Sequence, residues 1–187
     1  PNNDQNEHAA FYTLPGTDAR TFRWSGPDPR LDTRASNLRL QVTQQCRVED
    51  IDAVRARYQK LGIPADLATY MTDIPERLAW THLVIGRAGA STIAELTAAG
   101  RPAILIPLPS ATDDHQTENV REMVAAGGAR AIRQDRFTPV ELAKQMQKLG
   151  LDPQGLTNAA RAAHNCGRPR ATADLADLVE SLGRTPV

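Results

Sequence analysis

Gly86-Arg87-Ala88-Gly89-Ala90-Ser91-Thr92 links the end of an apolar run to the start of a periodic one. Small residues let a ligand reach the backbone. A helix starting there offers N–H groups without intrahelical partners and a partial positive charge, which suit a diphosphate. The pattern is not G-x-G-x-x-G and lacks a P-loop lysine, and it reads equally as a tight βα turn. Glu95 has two readings that compete for one carboxylate. Thr92-x-x-Glu95 matches a capping box, and an acid one turn into a cleft-facing helix also suits ribose hydroxyls. A second loop, Pro107–Gln116, is polar and stiffened by proline. His115, Gln116 and Asn119 fall within one helical turn, where two amides and an imidazole can converge on sugar hydroxyls. The same stretch reads as a solvated helix start capped by Asp113 or Asp114. The Asp pair has no further carboxylate at a metal-ligating spacing, so no metal is expected. His82 and His164 read as surface or core residues, and His8 falls in the irregular N-terminal stretch. No G-x-S-x-G, HExxH or CxxC is present.

The elements that must position these loops follow from hydrophobic periodicity. Leu38–Gln44 alternates as a strand. Val48, Ile51, Val54, Tyr58 and Leu61 recur at helical spacing up to Gly62. A short strand is expected at Ala68–Met71, then a short helix from Asp73, with Pro75 in its first turn, to Trp80. His82–Gly86 and Pro102–Pro107 are apolar runs of the buried-strand type. Helices are expected over 92–99, closed by Gly100, and over 116–126, closed by Gly127. A short strand over 129–133 comes next. Thr138-Pro139-Val140-Glu141 then opens another helix with an N-cap, a proline at N1 and a capping box, and two more helices follow over about 155–165 and 170–182. Strands alternating with helices imply βαβ units, a parallel sheet and right-handed crossovers. Ligands of such sheets bind beyond the carboxyl ends of the strands. That rule selects Arg87–Ser91 and Leu108–Asp114.

The chain has 187 residues, with 22 Lys+Arg against 22 Asp+Glu. A zero balance removes bulk charge as a reason to bind nucleic acid or anionic lipid. The cations are scattered and not interleaved with aromatics, so no nucleic-acid partner is expected. No apolar run approaches the ~18 residues of a membrane helix. The N-terminus lacks a signal-peptide layout and a starting Met, and the chain reads as a fragment. Cys46 and Cys166 support neither a disulfide framework nor a zinc site, which points to a reducing compartment. Residues 1–41 contain no Val or Ile, whereas the other 146 contain 17, and the first stretch carries Phe11, Tyr12, Phe22 and Trp24 among several turn signals. Residues 1–39 therefore read as a mostly irregular segment, and 40–187 as the folded unit.

Thr69–Trp80, Leu83–Glu95, Gly100–Pro107 and Asp113–Asn119, in that order, closely resemble one family. It is that of the undecaprenyldiphospho-muramoylpentapeptide β-N-acetylglucosaminyltransferases (MurG) of bacterial cell-wall synthesis, and the resemblance runs over its C-terminal half, from about Leu40 to Glu180. It implies a Rossmann-like α/β domain, a parallel sheet with flanking helices, of a two-domain GT-B enzyme that binds UDP-GlcNAc. Tyr70 and Met71 would flank the uracil, Met71 through its backbone, with Ile74 packed nearby. Ser91 and Thr92, after Gly89 and Ala90, would bind the diphosphate, Glu95 the ribose, and His115, Gln116 and Asn119 the GlcNAc and adjacent phosphate. The family position matching His115 is often Gln. No cofactor is implied, and departing UDP would be stabilised by helix dipole and backbone donors while an acceptor hydroxyl attacks with inversion. The catalytic residues stay unassigned. The full-length family acts at the cytoplasmic face of the inner membrane on a lipid-linked muramoylpentapeptide.

The sequence departs from the family before Gln41. The family has there a strand, a Gly-Gly-Ser-Gln-Gly-Ala loop and a helix, and a whole acceptor domain upstream, none of which is readable in residues 1–39. Segment 1–39 thus reads as foreign sequence, of frameshift or fragment origin. Three expectations follow. One is a donor-binding domain that binds UDP-GlcNAc. Another is a subunit of a split enzyme with an apolar face for an acceptor-domain partner. The last is a non-functional remnant with exposed sheet edges.

Overall fold

The computed structural model describes residues 10–13, 41–109, 115–150 and 153–183. Strand β1 is Ala10–Thr13, β2 Gln41–Gln45, β3 Ala65–Ala68, β4 Leu83–Gly86, β5 Ala103–Leu105 and β6 Ala129–Ala131. The helices are α1 Ile51–Leu61, α2 Ile74–Trp80, α3 Ala90–Ala99, α4 His115–Ala125, α5 Pro139–Gly150, α6 Pro153–Asn165 and α7 Ala171–Gly183. The six strands form one sheet in the order β3-β2-β1-β4-β5-β6. β2–β3, β4–β5 and β5–β6 pair in parallel.

β4 and β5 are buried on both faces, which is why they read as unbroken apolar runs. On one face Val84, Ala103 and Leu105 meet Leu78 of α2, Leu96 of α3, Val120 and Met123 of α4 and Ala163 of α6. On the other, Leu83, Ile85, Ile104 and Ile106 meet Ile132, Leu149 of α5 and Ala159 of α6. Each such Leu, Ile or Val removed from water contributes about 1.5–3 kcal/mol. α6 comes very close to the rest through small residues. A Cβ added to Gly128, at the start of β6, would lie 2.6 Å from Ala163 N and 2.7 Å from Ala163 Cα.

Beyond shifts of a few residues at element ends, such as α1 beginning at Ile51 rather than Val48, three differences from the sequence reading bear on the site. The segment read as mostly irregular supplies β1, a four-residue strand set antiparallel between β2 and β4: Ala10 faces Gln44 on one side and Ile85 on the other. Ala-Phe-Tyr-Thr is too short to show a period. Its place is set by the N–H and C=O groups that β2 and β4 would otherwise leave unpaired. β3 lies at Ala65–Ala68 rather than Ala68–Met71, because only Leu67 is buried there and no alternation marks the strand. α3 starts at Ala90, two residues earlier than read, with Gly89 as its N-cap. The expected ends at Gly62, Gly100 and Gly127 hold, all three with positive φ.

Thr138 caps α5 as expected: its Oγ1 accepts from Glu141 N at 3.2 Å. The reciprocal half of that box is absent, since Glu141 Oε1 accepts from Gln145 Nε2 at 2.7 Å. Asp73 stands at the N-cap of α2 but makes no side-chain cap. Its carboxylate accepts from Arg77 Nε at 2.7 Å, and Arg77 also reaches Asp66 of β3 at 2.7 Å. That pairing fastens α2 to β3.

Candidate functional site

The carboxyl ends of the strands open into a cavity of about 600 Å³. Gln45 closes it from β2, Ile74 and Leu78 from α2, and Gly86 and Arg87 from the end of β4. Gly89, Ala90, Ser91, Thr92 and Glu95 line it from α3, and His115, Gln116 and Asn119 from α4. Arg87–Ser91, the first loop that the sheet rule selects, lines this space. Of the second, Leu108 and Pro109 are not on its wall, and Ser110–Asp114 lie outside the described residues, and with them the Asp113 and Asp114 alternatives.

The start of α3 is the electropositive end of the cavity. Its N-cap, Gly89, has extended backbone (φ −62°, ψ 150°) and no side chain to satisfy the first-turn amides. The first helical bond runs from Ile93 N to Gly89 O at 3.0 Å. The N–H groups of Ala90 and Ser91, ahead of that bond, therefore have no intrahelical acceptor. α3 also carries no acid in its first turn, unlike α1, α2, α4, α5 and α7. Nothing on the helix neutralises its positive end.

This start excludes the capping-box reading of Glu95. Thr92 is the third helical residue rather than the cap, so Glu95 sits in the second turn, exposed and facing the cavity. Arg87 is the one arginine on the wall among the described residues, but its Nη1 is turned to Ile106 O at 3.3 Å and Gln134 Oε1 at 2.8 Å. Among the described residues, the positive potential at this end of the wall thus comes chiefly from backbone amides.

Gln116 and Asn119 are engaged with the loops themselves. Gln116 Oε1 accepts from Leu108 N at 2.9 Å and from Ala88 N at 3.4 Å, and Asn119 Nδ2 donates to Ala88 O at 3.0 Å. His115 is exposed at the head of α4. Tyr70 and Met71 do not border the cavity. They lie just past β3, on the connection that Gln45 ties down by donating from Nε2 to Thr69 O at 3.1 Å. Tyr70 is 74% exposed, while Met71 is 5% exposed, with its side chain in the core. Gln45 is the polar wall residue that the sequence reading missed. Its position at the carboxyl end of β2, subject to the same sheet rule, was the available signal.

The pKa shifts fall beside the cavity rather than in it. The Arg77 guanidinium holds the Asp73 carboxyl below its ordinary value, and Asp73 and Asp66 raise Arg77 in return. Burial pushes the Cys46 thiol up. At the opposite end of the sheet, burial pulls Arg101 down to about 10, and its Nη2 donates to Ala79 O at 3.1 Å. Among the described residues there is no cluster of three or more His, Cys, Asp or Glu suited to a metal. No helix among them is long and apolar enough to cross a membrane.

Comparison with known proteins gives concordant matches. The model of the glycosyltransferase family 28 C-terminal domain matches residues 25–180. A protein of Novosphingobium aromaticivorans, named UDP-N-acetylglucosamine--N-acetylmuramyl-(pentapeptide) pyrophosphoryl-undecaprenol N-acetylglucosamine transferase, is 69% identical over 149 residues, covering 80% of this chain and 38% of that protein. A protein of the same name from Erythrobacter litoralis is also 69% identical over 149 residues, covering 80% of this chain and 37% of that one. Among solved structures, Acinetobacter baumannii MurG superposes with a TM-score of 0.70 at 30% identity, over 82% of this chain and 44% of that one. The chain thus spans less than half the length of these relatives.

Proposed function

This chain belongs to the glycosyltransferase family 28 C-terminal domains, and from that premise we propose that it is the donor-binding part of an N-acetylglucosaminyltransferase. It binds UDP-GlcNAc, and the whole enzyme passes the sugar to undecaprenyl-diphospho-muramoylpentapeptide in peptidoglycan synthesis. The observation that carries this reading is the uncapped, acid-free start of α3 opening into the same cavity as Glu95. The diphosphate sits on the N–H groups of Ala90 and Ser91, beside Thr92, and Glu95 accepts from the ribose hydroxyls. The uracil extends past the edge of the cavity at Ile74, to stack by Tyr70 and bond the Met71 backbone. His115 faces the sugar.

In this reaction the bond between the anomeric carbon and the diphosphate oxygen breaks. A bond to the acceptor hydroxyl oxygen forms on the opposite face, and that hydroxyl gives up its proton. Negative charge grows on the departing UDP, where preorganised amides and a helix end stabilise it without reorganising. The acceptor, and the group that takes the proton, belong to the part of the enzyme outside this domain. The reading places the chain in the cytoplasm, at the membrane face that carries the lipid-linked acceptor. Calorimetric titration with UDP and UDP-GlcNAc tests it: micromolar to submillimolar binding is expected, and no heat at millimolar ligand would sink it.

A second reading, compatible with the first, is supported by α7. Leu175, Leu178, Val179 and Leu182 recur on one helix face and are 55–68% exposed, and no residue of α7 is buried. An apolar stripe of this kind is a docking surface, and the acceptor-binding portion, on the same or a separate chain, is its occupant. Leu178→Lys should abolish capture of that portion without lowering UDP affinity. Capture that is unaffected would remove α7 from the interface.

A further inference from the structure

The loop between β4 and α3 has a backbone that the sheet cannot satisfy. Ala88 is fully buried and lies beyond the last rung of β4. Both of its polar groups are instead held by α4, the N–H by Gln116 Oε1 and the C=O by Asn119 Nδ2. The same Gln116 oxygen also takes Leu108 N from the loop after β5. Two backbone donors converging on one oxygen fix the Gln116 amide, since its NH₂ would face two N–H groups if flipped. The acceptor at Ala88 O fixes Asn119 the opposite way. Gly89, the N-cap of α3, follows immediately.

We propose that Gln116 and Asn119 are positioning residues: they clamp Ala88 from both sides, lock the β4–α3 and β5–α4 loops together, and so aim the first-turn amides of α3 into the cavity. The clamp exists without ligand, whereas its effect on affinity rests on the reading that the cavity takes UDP-GlcNAc. A direct sugar contact would use Gln116 Nε2 or Asn119 Oδ1 and would affect only ligands that carry the sugar. A clamp acts on the diphosphate site and affects UDP and UDP-GlcNAc alike.

The test is residue-level amide hydrogen exchange on the ligand-free full chain, together with UDP and UDP-GlcNAc titrations, for wild type, Gln116→Ala, Gln116→Glu and Asn119→Ala. Gln116→Ala should speed exchange at Ala88 and Leu108 by roughly tenfold, the size of one lost hydrogen bond, and leave the β4 and β5 amides unchanged. Both ligands should weaken by a common factor of about ten. Gln116→Glu keeps an acceptor oxygen for both N–H groups and should restore their protection. Asn119→Ala covers the case in which Gln116→Ala fails to fold, and should weaken both ligands equally. Unchanged protection of Ala88 and Leu108 would overturn the clamp, and so would a loss confined to UDP-GlcNAc. Wild type that binds neither ligand yet shows the exchange pattern would sustain the clamp and remove the nucleotide reading.

Discussion

Ser91→Asp should make the domain more stable and less able to bind its ligand. Ser91 is exposed in the first turn of α3, a helix whose cap has no side chain and whose first turn has no acid. A carboxylate there meets the helix's partial positive charge and contributes about 0.3–1 kcal/mol. For a domain of this size that corresponds to a melting temperature higher by about 1–3 °C. A phosphate on the neighbouring amides would stand on the order of 5 Å from the new carboxylate. At an effective dielectric of about 20, the repulsion is roughly 3 kcal/mol per unit charge, a loss of about 200-fold, reduced to about 20-fold by physiological salt. Calorimetry with UDP, paired with thermal unfolding of the same samples, reads both effects. Ser91→Ala, which keeps the amide, should lose about fivefold or less. Ser91→Asp binding UDP within threefold of wild type would place the diphosphate elsewhere, and a lowered melting temperature would refute the account of an unneutralised helix end.

Other expectations are as direct. Glu95→Ala should leave the melting temperature within about 1 °C, because Glu95 is exposed and caps nothing, while UDP affinity falls about tenfold or more through loss of a charged acceptor. A 2′,3′-dideoxyribose analogue should bind wild type and variant equally. Gly128→Ala should cost about 3 kcal/mol by urea unfolding, since the new Cβ would press on the α6 backbone at Ala163 rather than on a flexible side chain. Full stability would mean that α6 moves away freely. The Asp73 carboxyl sits below its ordinary value of 3.8 because Arg77 holds it. Its contribution is therefore complete above that value and fades as pH falls through the lower folded one. Asp73→Asn should flatten the acid limb of stability below about pH 4, and a limb unchanged in slope would deny Asp73 that role.

Much of the fold was legible because β4 and β5 are buried on both faces and declare themselves as apolar runs, with Gly62, Gly100 and Gly127 marking the helix ends. Arg87–Ser91 was legible as a cavity wall through topology, since a parallel sheet leaves few places for a ligand, whereas most of Leu108–Asp114 lies outside the described residues. What was hidden depends on partners distant in sequence. Strand β1 is four residues whose pairing is dictated by β2 and β4. β3 is an edge strand with a single buried side chain. The start of α3 at Gly89 turns on backbone angles that a capping-box pattern at Thr92 imitates. The amides of Gln116 and Asn119 suit a sugar or a backbone equally well by type. Only the proximity of Ala88, 28 and 31 residues away in sequence, shows what they hold.

The antiparallel placement of β1 bears on the order of assembly. Among the described strands it is the one that joins β3-β2 to β4-β5-β6. Its nearest partners are 28 residues away at Gln41 and 71 residues away at Leu83, so its rungs close the longest loops in the sheet. Loop closure of that reach is slow and comes after local helices and βαβ pairs have formed. Gln45 belongs to one side of that seam and the clamped loops to the other. Competence to bind is thus acquired at the final docking of two preformed halves, and a pulse of ligand during refolding should register only after the β1 amides become protected.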